Sequence, residues 1–324
     1  MRLACRGSAF GSLIRQCTPQ GLPWQSNRAL SAGPRSSLLR PLEPHAELID
    51  PPTFAKEYLE PARPGFFPGL IRSDSPYAWP AFREWSAQGE GGEALQGLGR
   101  NEELRDAMVE VEIAPVGRGY GDAVADSSSS SWSKVNIPFG LFLEAFIRKS
   151  IPWSSEPAQE LVGYVAQQDL FSRSPILRDQ CPTLPHQHAG PRGALEQWRR
   201  NVWIGGRGSF TPLHRDPYEN LFVQVVGSKR IHMFPPRAGK HLHLFPASSS
   251  QPNTSQIPTE EPLLSESVLR QHTEGSFPDL EKAISDPEAR SVVLDAGDVL
   301  FIPQGWIHCV ASLSISASVN AWFR

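Results

Sequence analysis

The sequence has 324 residues, of which 40% are hydrophobic and 20% are charged, and its formal net charge is -3. A chain of this size can bury the core of one large domain, and its nearly balanced charge gives no general electrostatic reason to expect a nucleic-acid partner. The four cysteines have no paired spacing, which argues against a disulfide framework, and no apolar run reaches the ~18 residues of a membrane span, so we expect no membrane partner.

The first forty residues differ from the rest of the chain. They are rich in arginine and serine, and the first acidic residue is Glu43. This composition is typical of an organelle transit peptide, and it is equally that of a disordered basic tail. We therefore expect residues 1–40 to lie outside the fold. A mitochondrial location is one prediction, and a cytoplasmic or nuclear location is the alternative.

Residues 41–324 are predicted to form a single domain. In its first part, short helices are predicted at residues 54–59, 79–85 and 137–149. Residues 109–114 alternate apolar and acidic side chains, which indicates a half-exposed strand, and residues 161–167 give a second strand.

The second half of the domain is dense in short strand-like runs. After the segment 211–234, such runs follow at residues 291–294, 299–302, 307–313 and 315–322, separated by turn signals. This density predicts a β-barrel or a sandwich. A long insert at 246–290, with one predicted helical turn at 279–284, precedes the last runs. We expect this insert to lie near the mouth of the barrel and to take part in substrate recognition.

Three separated residues form a candidate metal site. In an extended segment, residues two apart point to the same side, so the imidazole of His214 and the carboxylate of Asp216 should converge. His308, on a late strand, is the candidate third ligand. Two histidines and one carboxylate with open positions opposite are the arrangement of non-haem Fe(II) oxygenases. Taken singly, His214 and Asp216 fit a surface turn and His308 fits a core histidine; the pair His186 and His188 lacks a carboxylate in register.

A lysine on the next strand suggests an anionic ligand. In the run 229–234, Lys229, Ile231 and Met233 share one side of the strand. A lysine on an inward, apolar side needs a partner, because a buried unpaired ammonium is costly. 2-Oxoglutarate would fit, since its 1-carboxylate and 2-keto oxygen can chelate the metal while its 5-carboxylate meets the lysine. The alternative is a surface lysine whose stem lies along apolar surface.

The residues above belong to four motifs, which are, in chain order, Thr211-Pro-Leu-His214-x-Asp216, Val223-Gln-Val-Val-Gly227-x-Lys229, Gly297-Asp-Val-Leu-Phe-Ile-Pro303 and Trp306-x-His308. In this order the motifs closely resemble the JmjC-domain oxygenases. The nearest resemblance is to the cupin-like branch that includes the factor-inhibiting-HIF type of protein hydroxylase. The resemblance runs from about Tyr164 to the C-terminus and more thinly back to about residue 50. It implies a mainly β (α+β) fold, a double-stranded β-helix or jelly-roll barrel with flanking N-terminal helices and a core at about 160–324.

The resemblance also implies the contents of the site. The cofactor would be Fe(II), held by the catalytic residues His214, Asp216 and His308, with 2-oxoglutarate and O2 as cosubstrates. Lys229 would hold the 5-carboxylate, assisted by Thr211, Tyr164, Asn220 and Asn320. Thr211 is out of strand parity with His214, so a bulge or bend near Pro212 is required. The alternatives are a substrate or loop contact for Asn220 and an outward, edge-strand position for Asn320.

The implied reaction is hydroxylation of a protein side chain, with succinate and CO2 as co-products and a protein or peptide as substrate. Within the same family, a demethylase and a tRNA-modifying oxygenase remain alternatives, although the chain has no basic stripe or zinc-ligand cluster that would favour them. Two rivals come from other classes, a metal cupin with non-oxygenase chemistry and a non-catalytic binding protein. A homodimer is kept open as an assembly.

Overall fold

Short strands dominate the residues that the structure, a computed structural model, describes, namely 37–85, 95–120, 132–151, 160–189 and 197–324. Numbered in chain order, the strands of these residues are β1 (Arg40–Pro41), β2 (Gly65–Phe67), β3 (Met108–Pro115), β4 (Ser133–Pro138), β5 (Leu161–Gln168), β6 (Gln197–Gly205), β7 (Phe210–Arg215), β8 (Glu219–Val226), β9 (Lys229–Phe234), β10 (Arg290–Leu294), β11 (Val299–Ile302), β12 (Ile307–Ser312) and β13 (Ser316–Phe323).

The helices are short and lie mainly before β5 and in the insert. The α-helices are Pro51–Phe54, Pro80–Glu84, Gln96–Gly99, Glu102–Asp106, Phe139–Phe142, Pro175–Gln180, Glu266–Thr273 and Leu280–Ile284. The first and the fifth of these continue as π-helical turns, Ala55–Leu59 and Leu143–Ile147, and 3₁₀ turns occupy Pro185–His188, Pro236–His241 and Glu261–Leu263. Among the described residues, no helix has the length and apolar character needed to cross a bilayer.

The strands form two sheets. One has five strands in the order β1-β10-β9-β12-β7, and the other has eight in the order β2-β11-β8-β13-β6-β5-β3-β4. All pairings are antiparallel except that of β1 with β10. Sheet order departs from chain order at most positions, as in a jelly roll. The predicted mainly β cupin-type fold with helices before the barrel is thereby confirmed.

Each sheet is covered on its outer face by a different part of the chain. Phe54, Trp85 and Phe142, from the N-terminal helices, share one apolar cluster with Val202 and Val223 of the larger sheet. Side chains alternate between the two faces of a strand, so the residues next to Val202 on β6 and next to Val223 on β8 face the interior of the barrel. The N-terminal helices therefore support the larger sheet from behind.

The insert covers the smaller sheet. Phe234 and Cys309 of that sheet pack with Leu269 and Leu280 of the insert and with Leu39, at the start of the described chain. The helical turn predicted at 279–284 coincides with the helix Leu280–Ile284, but it is not the single helical segment of the insert, which also contains the helix Glu266–Thr273 and a 3₁₀ turn. The apolar residues of the insert gave no visible helical periodicity in the sequence, because its helices are only eight and five residues long.

Residues 1–36 lie outside the described residues, so for them the predicted disordered segment or transit peptide stays a prediction. Residues 37–40, which were expected outside the fold, belong to it, because Leu39 is buried against the smaller sheet and Arg40 begins β1, which pairs with β10. The names of the relatives given below lend no support to a mitochondrial location.

Candidate metal centre and cosubstrate cavity

The register of two strands brings the candidate metal ligands together. β12 pairs with β7, and in this pairing His308 lies opposite His214. Asp216 follows directly after the end of β7, and its carbonyl oxygen accepts a hydrogen bond from the amide of Gly305 at 3.0 Å. That bond ties the segment with the carboxylate to the turn that leads into His308. Residues 94 positions apart in the chain (308 minus 214) thus share one site.

The three side chains converge closely enough to bind one ion. Nε2 of His214 lies 3.8 Å from one carboxylate oxygen of Asp216, and Nε2 of His308 lies 3.8 Å from the other. Their ligand atoms all lie within 4.8 Å of one another, and no second group of three such residues meets that criterion in the described part of the chain. His186 instead lies in a 3₁₀ turn with its Nε2 2.9 Å from the carbonyl oxygen of Ile49.

Both histidines are oriented for metal ligation. Nδ1 of His214 lies 2.8 Å from the carbonyl oxygen of Pro212, and Nδ1 of His308 lies 3.2 Å from that of Trp306. A carbonyl only accepts, so each Nδ1 must carry the proton and each Nε2 keeps its lone pair toward Asp216. Burial lowers the pKa of His308 to about 4, so that ring is neutral at ordinary pH. The donor set and the tautomers therefore fit a divalent transition metal.

A bulge allows Thr211 to face the same cavity as His214. Opposite β7, His308 pairs with His214 but Val310 pairs with Thr211, so three steps on β7 match two on β12. The extra residue lies at Pro212 or Leu213, and it restores an inward direction for the threonine. Thr211 lines one cavity with His214 and Asp216. The predicted irregularity near Pro212 is confirmed.

Lys229 is completely buried. It starts β9 after a tight turn at Gly227, where φ is +71° and a Cβ atom would collide with the carbonyl oxygen of Ile315, so the turn requires glycine. The ammonium lies 3.4 Å from the hydroxyl of Tyr164 and over the rings of Tyr164 and Phe222, at 5.4 Å and 5.5 Å from their centroids. No carboxylate of the described residues forms an ion pair with it. Burial lowers its pKa to about 7.

Tyr164 connects the lysine with the metal side of the barrel. Its hydroxyl accepts a hydrogen bond from Lys229 at 3.4 Å and also interacts with the hydroxyl of Thr211. Burial raises the pKa of Tyr164 above its ordinary value, so it stays a protonated hydroxyl. The sequence Lys229, Tyr164, Thr211 is therefore a continuous polar path that ends beside His214.

The two predicted asparagines belong to a buried amide network. Nδ2 of Asn320 donates to Oδ1 of Asn220 at 3.4 Å. Oδ1 of Asn320 accepts from Nδ2 of Asn201 at 3.1 Å and from the indole N–H of Trp203 at 2.8 Å. Asn320 faces the interior rather than lying on an outward edge, because β13 is flanked by β6 and β8. Its neighbour Asn201 was not predicted as part of the site, and Trp203 was expected in the core or in a groove for a peptide substrate rather than beside the cosubstrate residues.

The cavity beside the metal ligands has a volume of about 370 Å³ and a partly acidic wall. That wall contains Glu110 and Glu112 of β3 with Trp132 and Lys134, and Lys134 lies 2.6 Å from Glu110 and 4.0 Å from Glu112. Burial raises the pKa of Glu112 to about 7. The alternation of valine and glutamate in β3 was visible in the sequence, but nothing in it placed β3 next to the metal strands.

The first part of the insert also reaches this cavity. Asn253 and Gln251 line it, and the amide of Arg215 donates to the carbonyl of Asn253 at 3.1 Å, while Ser255 donates to the carbonyl of Leu213 at 2.7 Å. The prediction that the insert lies at the mouth therefore holds for residues 251–255 and fails for the helices that follow.

Comparisons with known proteins agree with this geometry. The family described as cupin-like domain matches residues 51–324. "Lysine-specific demethylase 8" of Xenopus tropicalis is 28% identical over 270 residues, covering 83% of this chain and 50% of that protein. The protein of the same name from Danio rerio is 31% identical over 273 residues, covering 83% and 55%. "JmjC domain-containing protein D" of Dictyostelium discoideum is 29% identical over 192 residues, covering 56% and 39%.

The chain thus spans about half the length of these demethylase relatives. The nearer resemblance to the factor-inhibiting-HIF type is not shown by these matches and stays a prediction. The match over residues 51–324, together with the two sheets and the convergent histidines and aspartate, shows that the chain belongs to the cupin-like domain family.

Proposed function

We propose that this chain is an Fe(II)- and 2-oxoglutarate-dependent oxygenase that hydroxylates a protein side chain. His214, Asp216 and His308 would hold the iron, and Lys229 would hold the 5-carboxylate of 2-oxoglutarate. Bound together, the iron, 2-oxoglutarate and O2 supply the oxidation of a C–H bond to an alcohol, with succinate and CO2 released.

The observation that carries the proposal is the buried ammonium of Lys229. Burying an unpaired ammonium in an apolar interior costs several kcal/mol of folding free energy or more, which is on the order of the largest cost that a small domain can tolerate. An anion that pairs with the ammonium offsets this cost. Neither rival function needs such a group. A metal cupin with isomerase or hydrolase chemistry uses the metal face alone, and a binding protein on a degenerate barrel gains nothing from a lysine whose pKa burial has lowered to about 7.

The surrounding residues would bind and orient the dicarboxylate. The hydroxyls of Tyr164 and Thr211 lie on the path between the lysine and His214, so they can donate to a carboxylate along that path. The rings of Tyr164 and Phe222 exclude water from the ammonium. A water-free clamp strengthens the ion pair, because screening is weak in a low-dielectric interior.

The acidic wall favours a basic side chain as the target. Glu110 and Glu112 place two carboxylates, which share the single ammonium of Lys134, beside Trp132 on the cavity that the metal ligands share. Such a wall attracts a guanidinium or an ammonium and repels the phosphates of a nucleic acid. This supports a protein substrate over a tRNA.

Demethylation is the second candidate, because two of the relatives are named lysine-specific demethylases. Both reactions begin with oxidation of a C–H bond at the same metal. They differ in whether the oxidised carbon belongs to the side-chain skeleton or to an N-methyl group that then leaves as formaldehyde. The substrate decides between them.

The test uses the purified chain with Fe(II), 2-oxoglutarate and an array of peptides with unmodified or methylated basic residues. We expect succinate release that needs both metal and peptide, with one oxygen atom added to an unmodified peptide. Formaldehyde and loss of a methyl group would instead establish demethylation. Wild-type succinate production by Asp216→Ala would contradict the assignment of the metal centre.

A further inference from the structure

The buried amide of Asn320 fixes a tryptophan at the wall of the cavity. The indole N–H of Trp203 donates to Oδ1 of Asn320 at 2.8 Å, and Asn320 is only 1% exposed. In the pairing of β13 with β6, Trp203 lies opposite Ser318, so it reaches the asparagine as a diagonal neighbour. This bond therefore sets the rotation of the indole relative to the strand.

The orientation of that indole shapes the space between the lysine and the metal ligands. The ring of Trp203 packs against the ring of Tyr164, with centroids 6.0 Å apart and planes inclined by 39°. Tyr164 in turn contacts Lys229, while Trp203 itself lines the cavity with His214. A rotated indole would displace Tyr164 or intrude on the cavity.

The hydrogen-bonding capacity of Asn320 is largely used inside the protein. Its oxygen accepts from Trp203 and Asn201, which fills both lone pairs, and its nitrogen donates to Asn220. Only one amide hydrogen is left for any other partner. An amide in this state is better suited to holding neighbouring side chains than to binding a ligand.

We propose that Asn320 is a positioning residue, which acts on 2-oxoglutarate binding by holding the indole of Trp203 rather than by touching the cosubstrate. The proposal rests on the proposed oxygenase function. It replaces the direct contact that the family resemblance implied for Asn320. Without the acceptor, the indole N–H is left unsatisfied at a half-buried position, and the ring rotates to find a partner.

The first test needs no turnover and uses the full chain without metal. Indole N–H signals are recorded on protein labelled with ¹⁵N-tryptophan, and the Trp203 signal is identified by its absence in Trp203→Phe. We expect slow hydrogen exchange of this N–H in the wild type and fast exchange in Asn320→Leu. Asn320→Asp keeps an oxygen acceptor and should keep the slow exchange. If Asn320→Leu does not fold, Asn320→Ala takes its place.

The matched control is Ser318→Ala. It removes another buried hydrogen bond of β13, from Ser318 to Gln224 at 2.7 Å, directly opposite Trp203 in the pairing with β6, and it keeps Asn320 as the acceptor of the indole N–H. This variant should keep the slow exchange of the Trp203 indole. Equal exchange rates in Asn320→Leu and the wild type would overturn the proposal.

The second test is a double-mutant cycle on the Michaelis constant for 2-oxoglutarate. We expect Asn320→Leu to raise this constant by about 3- to 10-fold, the usual effect of one lost hydrogen bond. In a Trp203→Phe background, which has no N–H to hold, the same substitution should change it by less than about twofold. An equal effect in both backgrounds would mean direct contact and would overturn the proposal. If even the wild type fails to turn over 2-oxoglutarate, the proposed function fails while the exchange experiment still decides the role of Asn320.

Discussion

His308 and His214 lie directly opposite each other on adjacent antiparallel strands, with ring centroids 4.4 Å apart. Both rings turn Nε2 toward Asp216, because both Nδ1 atoms donate to backbone carbonyls two residues earlier. Two imidazoles so close to a carboxylate form a site that an ion would stabilise. The metal and the register of β12 on β7 should therefore depend on each other.

Metal binding should consequently stabilise the fold. We expect Mn(II), a redox-inert substitute for Fe(II), to raise the melting temperature of the wild type, since a ligand at 100 times its Kd adds about 2.7 kcal/mol to the free energy of unfolding. His308→Ala should lose this response. His272→Gln, which changes a histidine of the insert that bonds its own helix at Val268, should keep it. An equal metal response in His308→Ala would show that the ion binds elsewhere.

Lys229 should stabilise the protein with bound 2-oxoglutarate and destabilise the protein without it. Replacing a buried, unpaired charge by an apolar side chain of similar volume is often neutral or stabilising by about 1–4 kcal/mol. We therefore expect Lys229→Met to abolish 2-oxoglutarate binding and to raise the melting temperature of the cosubstrate-free protein by a few degrees. Calorimetry with and without 2-oxoglutarate measures both effects. A large loss of stability in the free protein would indicate that an internal anion already pairs with the lysine.

The pH dependence of the free energy of unfolding provides the control for the effect of Lys229→Met on stability. Burial lowers the folded-state pKa of Lys229 from 10.5 to about 7. Between these values the unfolded state binds more protons than the folded state, so the contribution of this residue to the free energy of unfolding rises with pH across that window. Lys229→Met should flatten the rise. The comparison is made by denaturant unfolding of both proteins at pH 7 and pH 9.

The sequence was sufficient for those parts of the site that depend on local geometry. The spacing of His214 and Asp216 predicted convergence, the parity of Thr211 predicted a bulge, and the alternation in 229–234 predicted an inward Lys229. The structure shows each of these arrangements. The strand predicted at 299–302 coincides with β11.

Long-range pairing accounts for most of what the sequence could not reveal. β4 pairs with β3 and occupies residues assigned in part to a predicted helix, which begins only at Phe139, after Pro138. Hydrophobic periodicity cannot separate a strand from a helix across such a short boundary. Likewise, Trp203 and Glu112 reach the site through sheet neighbours far away in the chain. Only the topology places them there.

Binding of 2-oxoglutarate should weaken in alkaline solution. The carboxylate needs a protonated Lys229, and in the free protein that ammonium loses its proton above a pKa of about 7. Because only the protonated fraction is competent, we expect the Kd of the Mn(II)-loaded protein to rise by about tenfold or more from pH 7 to pH 9. Lys229→Arg, which keeps its charge, should bind less tightly at pH 7 but with a flat profile. Titration calorimetry in buffers of different ionisation enthalpy should also show proton uptake by the wild type.

The acidic wall should control the substrate and leave the cosubstrate unaffected. Glu112 is largely buried beside the metal cavity, with a side chain 14% exposed, and burial raises its pKa to about 7. A basic side chain of the substrate would bind it as the carboxylate, away from bulk water, and would share it with Lys134. A hydrogen bond to a charged group in such a place contributes about 1.5–3 kcal/mol. We expect Glu112→Gln to raise the Michaelis constant for a basic peptide by about tenfold or more and to leave that for 2-oxoglutarate within about twofold. Glu103→Gln, at an exposed position of the helix Glu102–Asp106, is the control and should change neither. A parallel rise of both constants in Glu112→Gln would indicate a disturbed barrel instead of a substrate contact.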